Sequence, residues 1–307
     1  MLWSPAPQIE LDWENFQPWK VTPVRHKISG HYLLQLDQLI ALSKRLEQRG
    51  RIRSHTGTAT ADTPFNHAPE MHPNSASAAE TLERIREAKA WLSLLNVQTD
   101  PTYCKLVDEV LDGIRPLVEA KDPNMTYRGG WIFISSPKTI TPFHCDKEHN
   151  FILQIHGRKT VYVWDPDDYV VVSQRARDRF HARHDRDSIL WKEEFRKRAH
   201  KFEFGPGDGA YMPSTAPHLV EVGDDPSVTM SFTYYTDSTR RDSMLHYARG
   251  HLAERGINLP DVGKYDLLDQ MVYHGVTPVR GALRTVRRLA GKSVVSETAK
   301  YAQHKFS

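Results

Sequence analysis

The chain has 307 residues, of which 39% are apolar and 26% charged, with a formal net charge of +3. These proportions are ordinary for a globular protein and exclude a collagen-like, wholly disordered or multi-span membrane chain, and the length suits one large domain or two small ones. No stretch approaches the roughly 18 unbroken apolar residues of a membrane helix, and the opening MLWSPAPQIELDW has no basic region followed by an apolar run, so a cytoplasmic protein is expected. Two cysteines, Cys104 and Cys145, are too few for a disulfide framework and lack the paired spacing of a zinc site, which fits a reducing compartment. The net charge is too small to argue for nucleic acid, but the excess is concentrated. Ten Lys or Arg stand against five Asp or Glu from Ser173 to Lys201, and seven against one from Val279 to Ser307.

Residues 1–125 read as a helical region. Leu36, Leu39, Ile40 and Leu46 recur at helical spacing, and Gly50 is placed to stop that helix. From Gly50 to Ser75 there is no period and many turn formers, so a long loop is expected. Ser77 and Glu80 have the spacing of a capping box, followed by an apolar stripe of Leu82, Ile85, Ala88 and Leu92. Asp100-Pro101 opens another helix, with Leu106, Val110, Ile114 and Leu117 on its inner side and Pro116 disturbing its last turn. At Gly129-Gly130 the pattern changes to short β-branched and aromatic runs (WIFISS, FILQIH, TVYVW, KFEF, GAYM, HLVEV, VTMSFTYY), each ended by Gly, Pro or Asp. Residues 126–237 therefore read as a jelly-roll or double-stranded β-helix with an interior fit for a ligand, interrupted by a basic insertion at 165–200. Helical patterning returns over 238–307, from Met244 to Gly256 and again from Val279 to Leu289. The fold class is mainly β with flanking helices.

The chemistry gathers in TPFHCDKEHNFILQIHGRKTVYVW, Thr141 to Trp164. Residues two apart on a strand share a side, so His144 and Asp146 aim an imidazole and a carboxylate at one point while Cys145 faces away. A third ligand is available in GPGDGAYMPSTAPHLVEV, where His218 starts a strand. Two histidines and one carboxylate leave three coordination positions open, the arrangement of non-haem Fe(II) oxygenases. Lys159 shares its strand face with Val161 and Val163, so an uncompensated ammonium there would be destabilising unless an anion met it.

This stretch resembles the cupin-fold JmjC hydroxylases, in particular the group that includes the asparaginyl hydroxylase acting on hypoxia-inducible factor; the similarity is strongest over Thr141–Trp164 and Phe204–Tyr235. The resemblance implies Fe(II) held by His144, Asp146 and His218, with 2-oxoglutarate and O2 as co-substrates. It implies that Lys159, fifteen residues after the first His, grips the far carboxylate of 2-oxoglutarate, helped by Thr141, and that Asn150 approaches the co-substrate. The family's late Asn is best matched by Ser231, with Thr233 as competitor. The chain departs from the pattern in Ser214-Thr215-Ala216-Pro217: the Trp often found before the last ligand is missing, and Thr215 stands where a glycine is usual.

The other histidines, among them His149, His156, His181, His184 and His200, read as surface or hydrogen-bonded groups. The RARDRFHARHDRD segment reads as a solvated helical face, with a lid or partner surface as the alternative, and the basic amphipathic tail as a contact with membrane or nucleic acid or, equally, as packing on the barrel or a second subunit. The expected activity is hydroxylation of an unidentified substrate, a peptide or protein side chain or a small metabolite, with release of succinate and CO2. Two other readings stand beside it: a metal-dependent cupin isomerase or dioxygenase that does not use 2-oxoglutarate, and a non-catalytic cupin that binds a ligand. A homodimer through the C-terminal helices is a further expectation.

Overall fold

The computed structural model describes residues 7–289, with side chains to residue 278. In chain order the elements are β1 (Ile9–Glu10), β2 (Thr22–His26), α1 (Leu36–Glu47), β3 (Ile52–Thr56), α2 (Ala68–Met71), α3 (Ala78–Glu83), β4 (Ala90–Leu94) and α4 (Pro101–Glu119). There follow β5 (Thr126–Ser135), β6 (Ile140–His144), β7 (His149–His156), β8 (Lys159–Val163), α5 (Gln174–Arg183), β9 (His200–Phe204), β10 (Asp208–Met212), β11 (His218–Val222), β12 (Ser227–Tyr235), α6 (Asp237–Ala253) and α7 (Asp266–Leu289). The strands form an eight-stranded antiparallel sheet in the order β1-β2-β10-β7-β12-β5-β4-β3 and a four-stranded sheet in the order β6-β11-β8-β9. This is the expected mainly-β fold with flanking helices.

Among the described residues three buried apolar clusters hold it, one of them formed by Phe143, Trp164, Phe180, Phe195 and Leu219. The outer face of the large sheet is covered by α1 and α4, whose Leu39, Leu46, Val107 and Ile114 join Ile132, Leu153 and Phe232 in one buried cluster. Between the sheets lies a smaller cluster of Ile152, Val161, Val163, Ala210, Met212 and Val220, of which Ile152, Met212 and Val220 also line the cavity. Gly130 lets β5 approach α4, since a Cβ there would lie 2.6 Å from the Val107 side chain.

The helical reading of residues 1–125 needs correction. The caps are as expected: Gly50, at φ +63°, closes the turn after α1, and Ser77 and Glu80 form a reciprocal capping box. Yet α3 ends at Glu83, and Leu92 belongs to a strand. All five residues of β4 are buried between β3 and β5. A strand covered on both faces is a continuous apolar run with no alternation, which periodicity cannot tell from helix. Through β1 to β4 the first hundred residues supply half the strands of the large sheet, so this region is part of the sheet and not a helical layer laid on it. The Gly50–Ser75 segment is likewise not all loop; it contains β3, a 3-10 turn at Phe65–His67 and α2.

The insertion at 165–200 also departs from expectation. Its helix α5 packs on α6 and buries Arg177, Asp178, Phe180 and His181, so it is not a solvated face. Asp178 accepts from Arg249 Nε at 3.0 Å and pairs with His246 Nδ1 at 2.7 Å, which neutralises charge inside that contact. The C-terminal helices begin earlier than the patterning suggested, at Asp237 and Asp266. Side chains of the basic segment 279–307 lie outside the described residues. Among the described residues no helix is long and apolar enough to cross a membrane.

The turn from β7 to β8 sets the register of the strand that carries Lys159. Gly157 has φ +72°, and a Cβ there would meet the Pro226 carbonyl oxygen at 2.1 Å. Gly157→Ala should therefore lower unfolding stability by at least about 2 kcal/mol, read as a lower urea midpoint at unchanged slope.

Candidate metal and co-substrate site

The four-stranded sheet sets up the ligands. His218, first residue of β11, lies opposite His144 on β6 and Val163 on β8. His144 Nδ1 is 2.7 Å from the Pro142 carbonyl oxygen and His218 Nδ1 is 3.1 Å from that of Ala216. A carbonyl only accepts, so each Nδ1 carries the proton and each Nε2 presents a lone pair. Asp146, just past the end of β6, brings Oδ2 to 3.7 Å from His144 Nε2 and 3.8 Å from His218 Nε2. One ligand atom from each of the three residues lies within 4.8 Å of the others. Burial disfavours protonation of both imidazoles. Burial also works against the Asp146 carboxylate, but the charge and hydrogen bond of Arg186 beside it prevail and hold its pKa well below the ordinary range. Two neutral imidazoles and a carboxylate are a donor set suited to a divalent transition metal.

A cavity of about 140 Å³ opens from these ligands between the sheets. Its deep end is lined by Ser93, Thr141, Asn150, Lys159 and Ser231, all buried. Lys159 starts β8 with Val161 and Val163 buried on the same face. No carboxylate among the described residues pairs with it, and burial pushes its pKa down to about 7. Ser93 Oγ, Asn150 Oδ1 and Ser231 Oγ are also buried without a hydrogen-bond partner among the described residues. Thr141 Oγ1 accepts from Trp91 Nε1 at 2.8 Å, which leaves its own proton for another acceptor. The cavity end thus holds a cation and unspent hydroxyl and amide groups, the complement of a small carboxylate. Ser231 and Thr233, two apart on β12, both line it; they lie opposite Ile152 and Asn150 of β7.

The other side of the cavity is bordered by half-buried Phe65, Asn66, Lys147, Glu148 and Tyr235. Phe65 stacks on His144 at 3.7 Å and 8° between ring planes. The loop that carries it is fastened to the insertion: Asn66 accepts from Arg186 at 3.1 Å, and His67 Nε2 lies 3.1 Å from Asp187. Burial, and then the Arg186 charge, push the pKa of His184 in this wall down to about 2. Glu148, raised by burial and the nearby Asp146, accepts from Tyr235 Oη at 3.1 Å.

The departures noted in the sequence take physical form here. Thr215 has φ +63°, a region β-branched residues avoid at a cost of about 1–3 kcal/mol, and where glycine is free to sit. Its N–H donates to the Asp146 carbonyl at 2.7 Å and its Oγ1 accepts from buried Arg177 at 3.2 Å. The strained residue therefore ties the backbone of one ligand to α5.

The sequence matches the family described as cupin-like domain over residues 12–240. The chain belongs to that family. No curated protein matches it significantly. Solved structures similar to this cupin-like chain include YcfD from Escherichia coli, 16% identical with a TM-score of 0.47 over 84% of this chain and 62% of that one. Another is YcfD, a ribosomal oxygenase, in complex with cobalt and 2-oxoglutarate, 18% identical with a TM-score of 0.45 over 84% and 61%. A third is the DMSP lyase DddQ from Ruegeria pomeroyi DSS-3, 13% identical with a TM-score of 0.23 over 35% and 38%. The cupin-like chain spans less than two thirds of the YcfD chains it matches.

Several residues of the site in this cupin-like chain escape sequence reasoning. Trp91 lies in the fully buried strand β4, whose apolar run mimics the end of a helical stripe, and Phe65 and Asn66 lie in a segment with no periodic signal. Arg186 and His184 sat in a charge run with no spacing relation to His144. Lys159, by contrast, leads to a sign-defined test. Its pKa is near 7 when folded and 10.5 when unfolded, so between those values the unfolded chain binds more protons and stability rises with pH. Lys159→Met should lose that rise and be more stable than the ligand-free wild type at pH 7 by about 2–4 kcal/mol, measured by chemical denaturation across pH 7–10.

Proposed function

We propose that the chain is an Fe(II)- and 2-oxoglutarate-dependent oxygenase that hydroxylates a substrate with release of succinate and CO2. The observation that carries this reading is a buried lysine without a counter-ion in the cavity that also contains a two-histidine, one-carboxylate set. A metal-binding cupin with no acidic co-substrate has no use for that charge, and desolvating it costs stability.

In this reading His144, Asp146 and His218 hold Fe(II), which supplies O2 activation when bound. Lys159 and Thr141 bind the distal carboxylate of 2-oxoglutarate, Lys159 by charge and Thr141 by the proton that Trp91 leaves free. Asn150 and Ser231 line its flank, with Thr233 beside them. Apolar Ile152, Met212 and Val220 keep water from that end. The primary substrate, a peptide or protein side chain or a small metabolite, enters on the half-buried side between Phe65, Lys147, Glu148 and Tyr235. The oxygenase unit runs through Tyr235, and the helices after it support packing and self-association, with Leu267 and Met271 exposed on α7. A cytoplasmic setting, with reduced iron and 2-oxoglutarate at hand, accords with two cysteines outside any disulfide.

Anaerobic titration of the apo-protein with Fe(II) and then 2-oxoglutarate should give the visible charge-transfer band of a chelated keto acid. Lys159→Ala should weaken 2-oxoglutarate binding at least about tenfold, and Asp146→Ala should abolish both the band and succinate formation without loss of the fold. Metal binding with no band would indicate a cupin that does not use 2-oxoglutarate, and no metal binding a ligand-binding protein. Trp91→Phe removes the donor to Thr141, together with part of the ring stacked on His55, and should cost 2-oxoglutarate affinity about three- to tenfold, near 1 kcal/mol, in the same titration.

A further inference from the structure

Arg186 lies beyond the end of α5, in the insertion, with a side chain only 10% exposed. Every face of its guanidinium is engaged. Nε donates to the Cys145 carbonyl at 2.9 Å, and Nη1 donates to Asn66 Oδ1 at 3.1 Å and lies 2.7 Å from His184 Nε2. Nη2 donates to Asp146 Oδ1 at 2.6 Å. The plane is set between Phe65, at 5.3 Å, and Phe180, at 5.0 Å. The guanidinium is thus held by the backbone before Asp146, by the Phe65 loop and by the insertion, and it points one donor at one carboxylate oxygen.

A carboxylate without such a partner offers a metal either oxygen or both. We infer that Arg186 is a positioning residue that occupies Oδ1 of Asp146, so that Oδ2 alone, the atom facing His144 and His218 at 3.7 and 3.8 Å, is presented as ligand. The inference rests on the metal site proposed above. It assigns the basic insertion a part in that site: one of its arginines sets how many coordination positions the protein takes and how many it leaves open. An arginine suits this task better than a lysine, because its planar fork fixes direction while spending its other donors on anchors.

The positioning role and the bare charge of Arg186 predict opposite signs. A cation beside a divalent metal repels it, so if charge were all that mattered, removing the guanidinium would tighten metal binding. If positioning matters, removal loosens the ligand and weakens binding, as loss of groups that orient metal ligands does by about 10–100-fold. The experiment is anaerobic Co(II) titration of the full chain, without co-substrate, following dissociation constant and ligand-field absorption, with apo-protein melting recorded in parallel. Arg186→Met is expected to bind Co(II) at least about tenfold more weakly with an altered ligand-field band, and Arg186→Lys to recover part of the affinity. Should Arg186→Met not fold, Asn66→Ala, which removes one anchor and leaves the arginine, is expected to weaken Co(II) binding in the same direction by a smaller factor. Wild-type or tighter Co(II) binding with an unchanged spectrum in whichever of these folds would overturn the inference and leave the metal site standing. Failure of the wild type to bind Co(II) would remove both.

Discussion

His218 faces His144 across one edge of β11 and Val163 across the other, and this double antiparallel register is the constraint on which the site is built. Because side chains alternate along a strand, a slip of one residue would turn His218 out of the sandwich and leave two ligands without a third. The β8 register also fixes Lys159 opposite Val222, and on the β6 side a β-bulge between His218 and Val220 shifts the pairing so that Thr141 lies opposite Val220. The candidate metal ligands His144 and His218 and the cationic end of the cavity are therefore set by one sheet of four strands. The large sheet supplies the opposite wall and the helices that keep it rigid.

Charge burial is what distinguishes this interior from a plain hydrophobic core. Asp146 is answered locally by Arg186, Asp178 by Arg249 and His246, and Asp122 by Thr236 and Ser238. Lys159 has no such answer among the described residues. Buried ions normally come paired, since desolvation outweighs what a single charge gains from a low-dielectric surrounding. Lys159 sits at the end of the cavity among hydroxyl and amide groups that are also unspent, so that end of the cavity carries a charge the protein itself does not answer.

What could be read from the sequence was whatever depends on short spacing. His144, Asp146 and the face shared by Lys159, Val161 and Val163 follow from strand alternation, and the caps at Ser77 and Asp100 from local hydrogen bonding. The JmjC-like spacing carried His218, Asn150 and Ser231 to the same cavity. Less legible were groups that reach the site through tertiary pairing. Trp91 meets Thr141 only because β4 is a fully buried strand, which lacks alternation and mimics the end of a helical stripe. Arg186 is one of many arginines in a segment whose charge suggests solvent, and only its tertiary partners Asp146, Cys145 and Asn66 turn it inward. His184, read as a surface or hydrogen-bonded group, is indeed bonded, yet it also lines the cavity.

The fastening of the Phe65 loop to the insertion runs through Asn66 and Arg186, and Arg186 is also the partner of Asp146. Two segments distant in the chain thus share one carboxylate as their keystone. Thermodynamic reciprocity then applies: whatever steadies Asp146 must also steady the two segments that lean on it, and whatever pries those segments apart must loosen Asp146 by the same free energy. Width of the entrance and the seating of Asp146 are thereby coupled in this molecule, so anything that parts the two segments draws on the hydrogen bonds that hold the carboxylate.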